Sequence, residues 1–192
     1  MKKNKIFKIT FCAIMASMST ILTIFEVNLP VFNVALYGLP LVFVSVIYGP
    51  GYGFLTGLVA GSIEQISKGI SVQTLLWIIA PLAWGGLSGV IYYTFKKIIN
   101  DDKVYKKIII YSLAIFVSIF ISNLSNSLAM AVFGYTKNPI SNVGMFLAFY
   151  IPRLISIPMH MIIYVPLCYI VCERMRKFIF NIDDNEEVEK DI

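Results

Sequence analysis

Residues 37–68 read YGLPLVFVSVIYGPGYGFLTGLVAGSIEQISK. Two apolar runs meet at Gly49-Pro50-Gly51. Gly53, Gly57 and Gly61 follow at four-residue intervals, and Glu64 and Lys68 close the stretch as the only charges between Glu26 and Lys96. Small residues at every fourth position let helix backbones touch where lipid gives no hydrophobic drive to pack. A carboxylate at the end of such a helix is costly in hydrocarbon and marks a candidate functional position. The stretch therefore predicts the packed centre of a membrane protein, with a polar pocket at one end.

Composition extends that reading outward. The chain has 192 residues, 58% of them hydrophobic, and a mean hydropathy of +0.78. An ordinary soluble domain is excluded. A span takes ~20 apolar residues, so the length accommodates about six spans with short loops. Cys12, Cys168 and Cys172 all fall in apolar stretches. They read as small packing residues, since a metal site would want further ligands close by. No metal, cofactor or nucleic-acid partner is expected, and no P-loop or zinc-protease helix is present.

The predicted spans are about 9–25, 34–48, 52–66, 72–95, 108–133 and 146–172. Together they form an all-α six-transmembrane-helix bundle over residues 1–177, with an acidic, unstructured cytoplasmic tail at 178–192. Pro50 lacks an N–H and lies between glycines, which favours a tight turn between spans 2 and 3. The charge distribution tests the count. With six spans, one side collects Lys2, Lys3, Lys5, Lys8, Lys96, Lys97, Lys103, Lys106, Lys107, Arg174, Arg176, Lys177 and Lys190, thirteen cations; the other keeps Lys68, Lys137 and Arg153. This positive-inside bias places both termini in the cytoplasm. Joining residues 34–66 into one span would turn the Lys-rich 96–107 loop outward, against the rule.

Polar groups inside the spans crowd toward the outer side. Glu26 ends span 1; Glu64, Gln65 and Lys68 end span 3; Gln73 opens span 4; Asn123 and Asn126 lie in the middle to outer part of span 5; Arg153 and His160 lie in span 6. The inner halves carry no charge before their basic flanks. That asymmetry predicts a pocket open outward and closed below. The candidate solute-binding residues are Glu64, Lys68, Arg153, His160, Asn126, Tyr37, Trp77, Lys137 and Glu26. Arg153 and His160 are seven apart, hence on one helix face. Tyr37, Trp77 and Tyr150 could stack on a flat ligand. Structural alternatives stand beside these roles. Glu64 and Lys68, four apart, could simply pair; Arg153 could snorkel; His160 could be a packing residue; Asn123 and Asn126 could be interhelical hydrogen-bond partners.

In order and spacing, these features resemble the substrate-binding S components of energy-coupling factor (ECF) transporters. The shared features are Ala13-xxx-Ser17 in span 1, Leu39-Pro40 opening span 2, YGPGYGFLTGLVAGS, GGLSGVIYY in span 4 and PRLISIP in span 6, covering about residues 7–177. The resemblance implies a multi-pass subunit of a bacterial cell membrane that captures a vitamin-like small molecule from outside. It also implies docking, through Ala13 and Ser17, to a T component and two ATPase subunits. The Gly-Pro turn and Pro-Arg opening are most similar to the folate group. Folate carboxylates would suit Arg153, Lys137 or Lys68, whereas a cationic solute would suit Glu26 and Glu64. Two alternatives come from other classes: an intramembrane serine protease built on Ser88 and His160, and a ligand-free membrane scaffold. A serine nucleophile needs its base within hydrogen-bond reach, and the expected depths of Ser88 and His160 differ.

Overall fold

A computed structural model describes residues 2–24, 27–28, 33–69, 76–99, 103–133 and 143–188. Six helices run through these residues. α1 is Lys2–Leu22 and is followed by a short antiparallel pair, β1 (Val27–Asn28) and β2 (Asn33–Val34). α2 is Gly38–Tyr48 and α3 is Pro50–Lys68. α4 runs as Ile79–Leu82, a π-turn at Ala83–Leu87, and Ser88–Ile99. α5 is Val104–Phe133 and α6 is Val143–Val188. Among the described residues, three stretches are long and apolar enough to cross a membrane: Lys5–Leu22, Val104–Ala131 and Tyr150–Phe178.

The hinge between α2 and α3 lies where the sequence predicts it. Gly49 has φ 100° and ψ 165°, a conformation L side chains rarely adopt. Pro50 takes the first position of α3, where its missing N–H would have had no helical partner. α2 begins at Gly38, not near Val34, which instead sits in β2. Pro40 explains the late start, because proline is tolerated in a first helical turn and not deeper. With 11 residues, α2 is only about 16 Å long at 1.5 Å per residue. It is also the hub of the bundle. Leu41, Val42, Val44 and Val46 are fully buried, and α2 touches every other helix except α5.

The glycine stripe of α3 faces α4. A Cβ on Gly53 would lie 2.1 Å from the Gly85 carbonyl oxygen, and one on Gly57 2.4 Å from that of Pro81. α3 and α4 are therefore in backbone contact, and the α3 stripe is internal packing. Pro81 sits just before the π-turn. It cannot donate to the helix ladder, and such wide turns accompany interrupted ladders. α6 tolerates Pro152, Pro158 and Pro166 in its interior, as membrane helices do when neighbours satisfy the freed groups. It also continues to Val188, into the acidic stretch where the sequence predicts an unstructured end. Propagating an established helix is far easier than starting one.

Candidate functional site

The outer end, named from the charge count, is built around a clamp on the segment that links β2 to α2. Gly38 has no side chain, so the Trp84 indole lies directly on its backbone; a Cβ there would come within 2.6 Å of Trp84 Cδ2. Trp84 packs on Tyr164 with centroids 4.8 Å apart, and His160 lies 5.6 Å from Tyr164 and 6.4 Å from Trp84. The Tyr164 hydroxyl donates to the Ala35 carbonyl at 2.5 Å, and the Ala35 N–H donates to His160 Nε2 at 3.3 Å. Since Nε2 accepts, the ring proton sits on Nδ1 and is donated to the Ser156 carbonyl at 2.7 Å. Ser19 Oγ of α1 donates to the Tyr37 carbonyl at 2.8 Å. α1, α4 and α6 thus jointly fix residues 35–38.

A polar seam runs beside this clamp between α5 and α6. Asn123 Nδ2 donates to the Arg153 carbonyl at 3.1 Å and to Ser156 Oγ at 3.3 Å. The Arg153 guanidinium reaches Ser127 Oγ at 3.2 Å and Met130 Sδ at 2.7 Å. On the other side of α5, Ser122 and Ser125 donate to the Ala80 and Leu76 carbonyls, each at 3.3 Å. The Ala80 carbonyl belongs to the first turn of α4 and the Leu76 carbonyl to the residues just before it.

Several predicted site residues take other places. His160 is a structural residue, with both ring nitrogens engaged by backbone. It faces residues 35–37, whereas Arg153 faces α5, so the seven-residue spacing does not bring the two to one ligand. Asn126 is half-buried on α5, one turn beyond Ser122. Glu64 and Trp77 are half-buried near the ends of α3 and α4, and both make interactions of their own. Tyr37 directly precedes α2. Glu26, Lys137 and the Lys68 side chain lie outside the described residues. α3 and α6 share no substantial interface among the described residues.

Sequence reasoning passed over Gln65, Trp84 and Tyr164. Gln65 was visible only as a polar neighbour of Glu64. The aromatic pair carried no signal beyond ordinary core aromatics. The inner half also differs from expectation, because Arg176 is not a free basic flank. Its guanidinium folds back to the Val46 carbonyl and the Tyr92 hydroxyl, both at 2.7 Å, and lies 4.9 Å from the Tyr92 ring centroid. Lys107 pairs with Glu173 at 2.6 Å beside it. A cation and an ion pair thus lace the inner ends of α2, α4, α5 and α6 together.

The protease alternative fails on contacts. Ser88 Oγ is buried and donates to the Trp84 carbonyl, and both His160 nitrogens are occupied. On α1, Ala16 and Ser19 point inward, whereas Ala13 and Ser17 are exposed among Ile9, Ile14, Met18 and Ile21. The Ala13-xxx-Ser17 stripe therefore faces away from the bundle.

The exposed apolar helices and the internally laced inner end are those of a multi-pass membrane bundle. The chain belongs to the thiamine transporter protein family, whose model matches residues 9–179. It is a non-enzymatic vitamin-uptake component of an ECF transporter, a class that pairs with a T component and ATPase subunits. The fold is similar to that of the solved structure of ThiT from Listeria monocytogenes. The TM-score is 0.66 at 14% identity, covering 91% of this chain and 97% of that one. No curated protein matches the chain. The folate expectation is corrected by this family: the Gly-Pro turn and Pro-Arg opening mark the S-component fold and not the solute.

Proposed function

We propose that this subunit captures thiamine on the extracellular side and delivers it to the ECF module. The observation that carries the reading is the family match across nearly the whole membrane region. The chemistry at the outer end is compatible. Thiamine is a cation, which reverses the charge logic drawn for folate. An acidic group and aromatic faces are then the useful partners, and Glu64, Tyr37 and Trp77 supply both kinds. Arg153, held by Ser127 and Met130, serves as a wall of the α5–α6 seam and not as a solute anchor. The thirteen-to-three split of cations supports both termini on the cytoplasmic side. The exposed Ala13 and Ser17 stripe is the surface offered to the T component.

Trp77 and Trp84 are the two tryptophans of the chain, and both lie toward the outer end. Titrating thiamine into purified protein is expected to quench their emission saturably and to raise the melting temperature, while folate leaves the melting temperature unchanged. Saturable folate binding without thiamine binding would overturn the assignment.

A further inference from the structure

The inward stripe of α3 is Gly53, Gly57, Gly61 and then Gln65, each one turn beyond the last. The three glycines all approach α4, Gly53 at Gly85, Gly57 at Pro81, and Gly61 at Pro81 and Ile78. Gln65 lies one turn beyond Gly61, toward the outer end of α3. Its side chain is buried, with 3% relative exposure. Among the described residues, neither Oε1 nor Nε2 has a hydrogen-bond partner. Ser19, Ser122, Asn123, Ser125, Ser156 and His160 at this end all have protein partners; the Tyr150 hydroxyl on α6 is, like Gln65, buried without one among the described residues. A buried primary amide without partners is a standing cost to the folded chain. It is the arrangement expected of a group whose partner arrives from outside.

A carboxamide offers one acceptor and one donor side by side. The complementary ligand is an edge with an adjacent N–H donor and ring-nitrogen acceptor, the pattern by which glutamine and asparagine read adenine. The aminopyrimidine ring of thiamine presents such an edge, its exocyclic amino group next to a ring nitrogen. A neutral amide suits this neutral ring, leaving the positive charge of the thiazolium to the acidic and aromatic groups near by. We propose that Gln65 is a specificity-determining residue that reads the aminopyrimidine edge of the solute. Its Oε1 accepts from the amino group and its Nε2 donates to the adjacent ring nitrogen. The inference rests on the thiamine reading above and assigns one residue within it.

The test is a binding cycle on the purified full chain. Wild type and Gln65→Met are each titrated with thiamine and with the thiamine analogue that carries hydrogen in place of the amino group. Methionine keeps the length of glutamine and removes both polar atoms. Gln65→Met is expected to bind thiamine about 10- to 100-fold more weakly, as loss of a two-point hydrogen bond requires. It should lose clearly less affinity for the deaminated analogue than for thiamine, because only the Nε2 contact to the ring nitrogen remains there to be lost. Without ligand it should melt at the same temperature as wild type or higher, since an unpartnered amide has been replaced by an apolar chain. Equal loss for both ligands, or a lower melting temperature without ligand, would make Gln65 structural and overturn the proposal. Unchanged thiamine affinity would overturn it too. Gln65→Glu, which retains only acceptors, provides a second variant and should also weaken thiamine. If wild type binds neither compound, the thiamine assignment itself fails, which separates the two claims.

Discussion

Arg176 shows what one side chain does when its partners lie far along the chain. Its guanidinium caps the Val46 carbonyl near the end of α2 and the Tyr92 hydroxyl of α4, 130 and 84 positions away. Tyr93 donates to the same Val46 carbonyl at 3.0 Å. Hydrogen bonds to a charged group contribute about 1.5–3 kcal/mol each, and the cost of burying the guanidinium offsets part of that. Arg176→Met is therefore expected to destabilise the bundle by about 1–3 kcal/mol, read as a lower melting temperature in detergent, with thiamine affinity unchanged. Arg176→Lys should not restore it, because an ammonium cannot span two acceptors as the planar fork does. His160 belongs to the same kind of residue. Its sequence context, a lone histidine in an apolar span, is compatible with a ligand, and only the bonds to Ala35 and Ser156 show that it positions backbone.

Among the elements, α2, α3 and α4 form a unit in which glycine replaces side-chain packing by backbone contact. The stripe on α3 was legible because its period is that of a helix. That its partner is α4 was not, since Gly85 and Gly89 have the same spacing as several other small pairs. The consequence is specific to position. Gly85→Ala would push a Cβ to 2.1 Å from the Gly53 carbonyl and is expected to cost about 1–3 kcal/mol or more through overpacking. Gly51→Ala meets nothing within 4 Å and should stabilise α3 by about 0.5–1 kcal/mol. Melting curves of the two variants side by side would check the pair. If both were neutral, the close approach of α3 and α4 would be wrong.

On the scale of the whole molecule, the bundle is fixed at its outer end by the clamp on residues 35–38 and at its inner end by Arg176 and the Lys107–Glu173 pair. The proposed function puts solute capture and coupling on different surfaces: solute at the outer end, partner along α1. Replacing Ala13 and Ser17 together by leucine should leave thiamine binding by purified protein intact. The same change should abolish uptake by cells that depend on this subunit, because bulky side chains prevent close helix approach. Normal uptake would remove that stripe from the docking surface. Loss of solute binding would show that α1 also shapes the site.

The sequence by itself determined the class. Apolar length, the asymmetry of lysine and arginine, the Gly-Pro hinge and the order of small-residue motifs all act locally or by summed composition, and they were enough for six helices and the S-component family. The identity of the solute was not so determined: cations and carboxylates near one membrane face suit an anion or a cation equally well. Only the tertiary structure decided which stripe is buried and which is exposed, that His160 and Arg176 hold backbone, and that Gln65 stands buried without a partner among the described residues. Each of these depends on which helix lies opposite, across separations such as the 125 residues between Ala35 and His160. Helical periodicity fixes the direction of a side chain from its own axis, but it does not specify the neighbour that the direction meets.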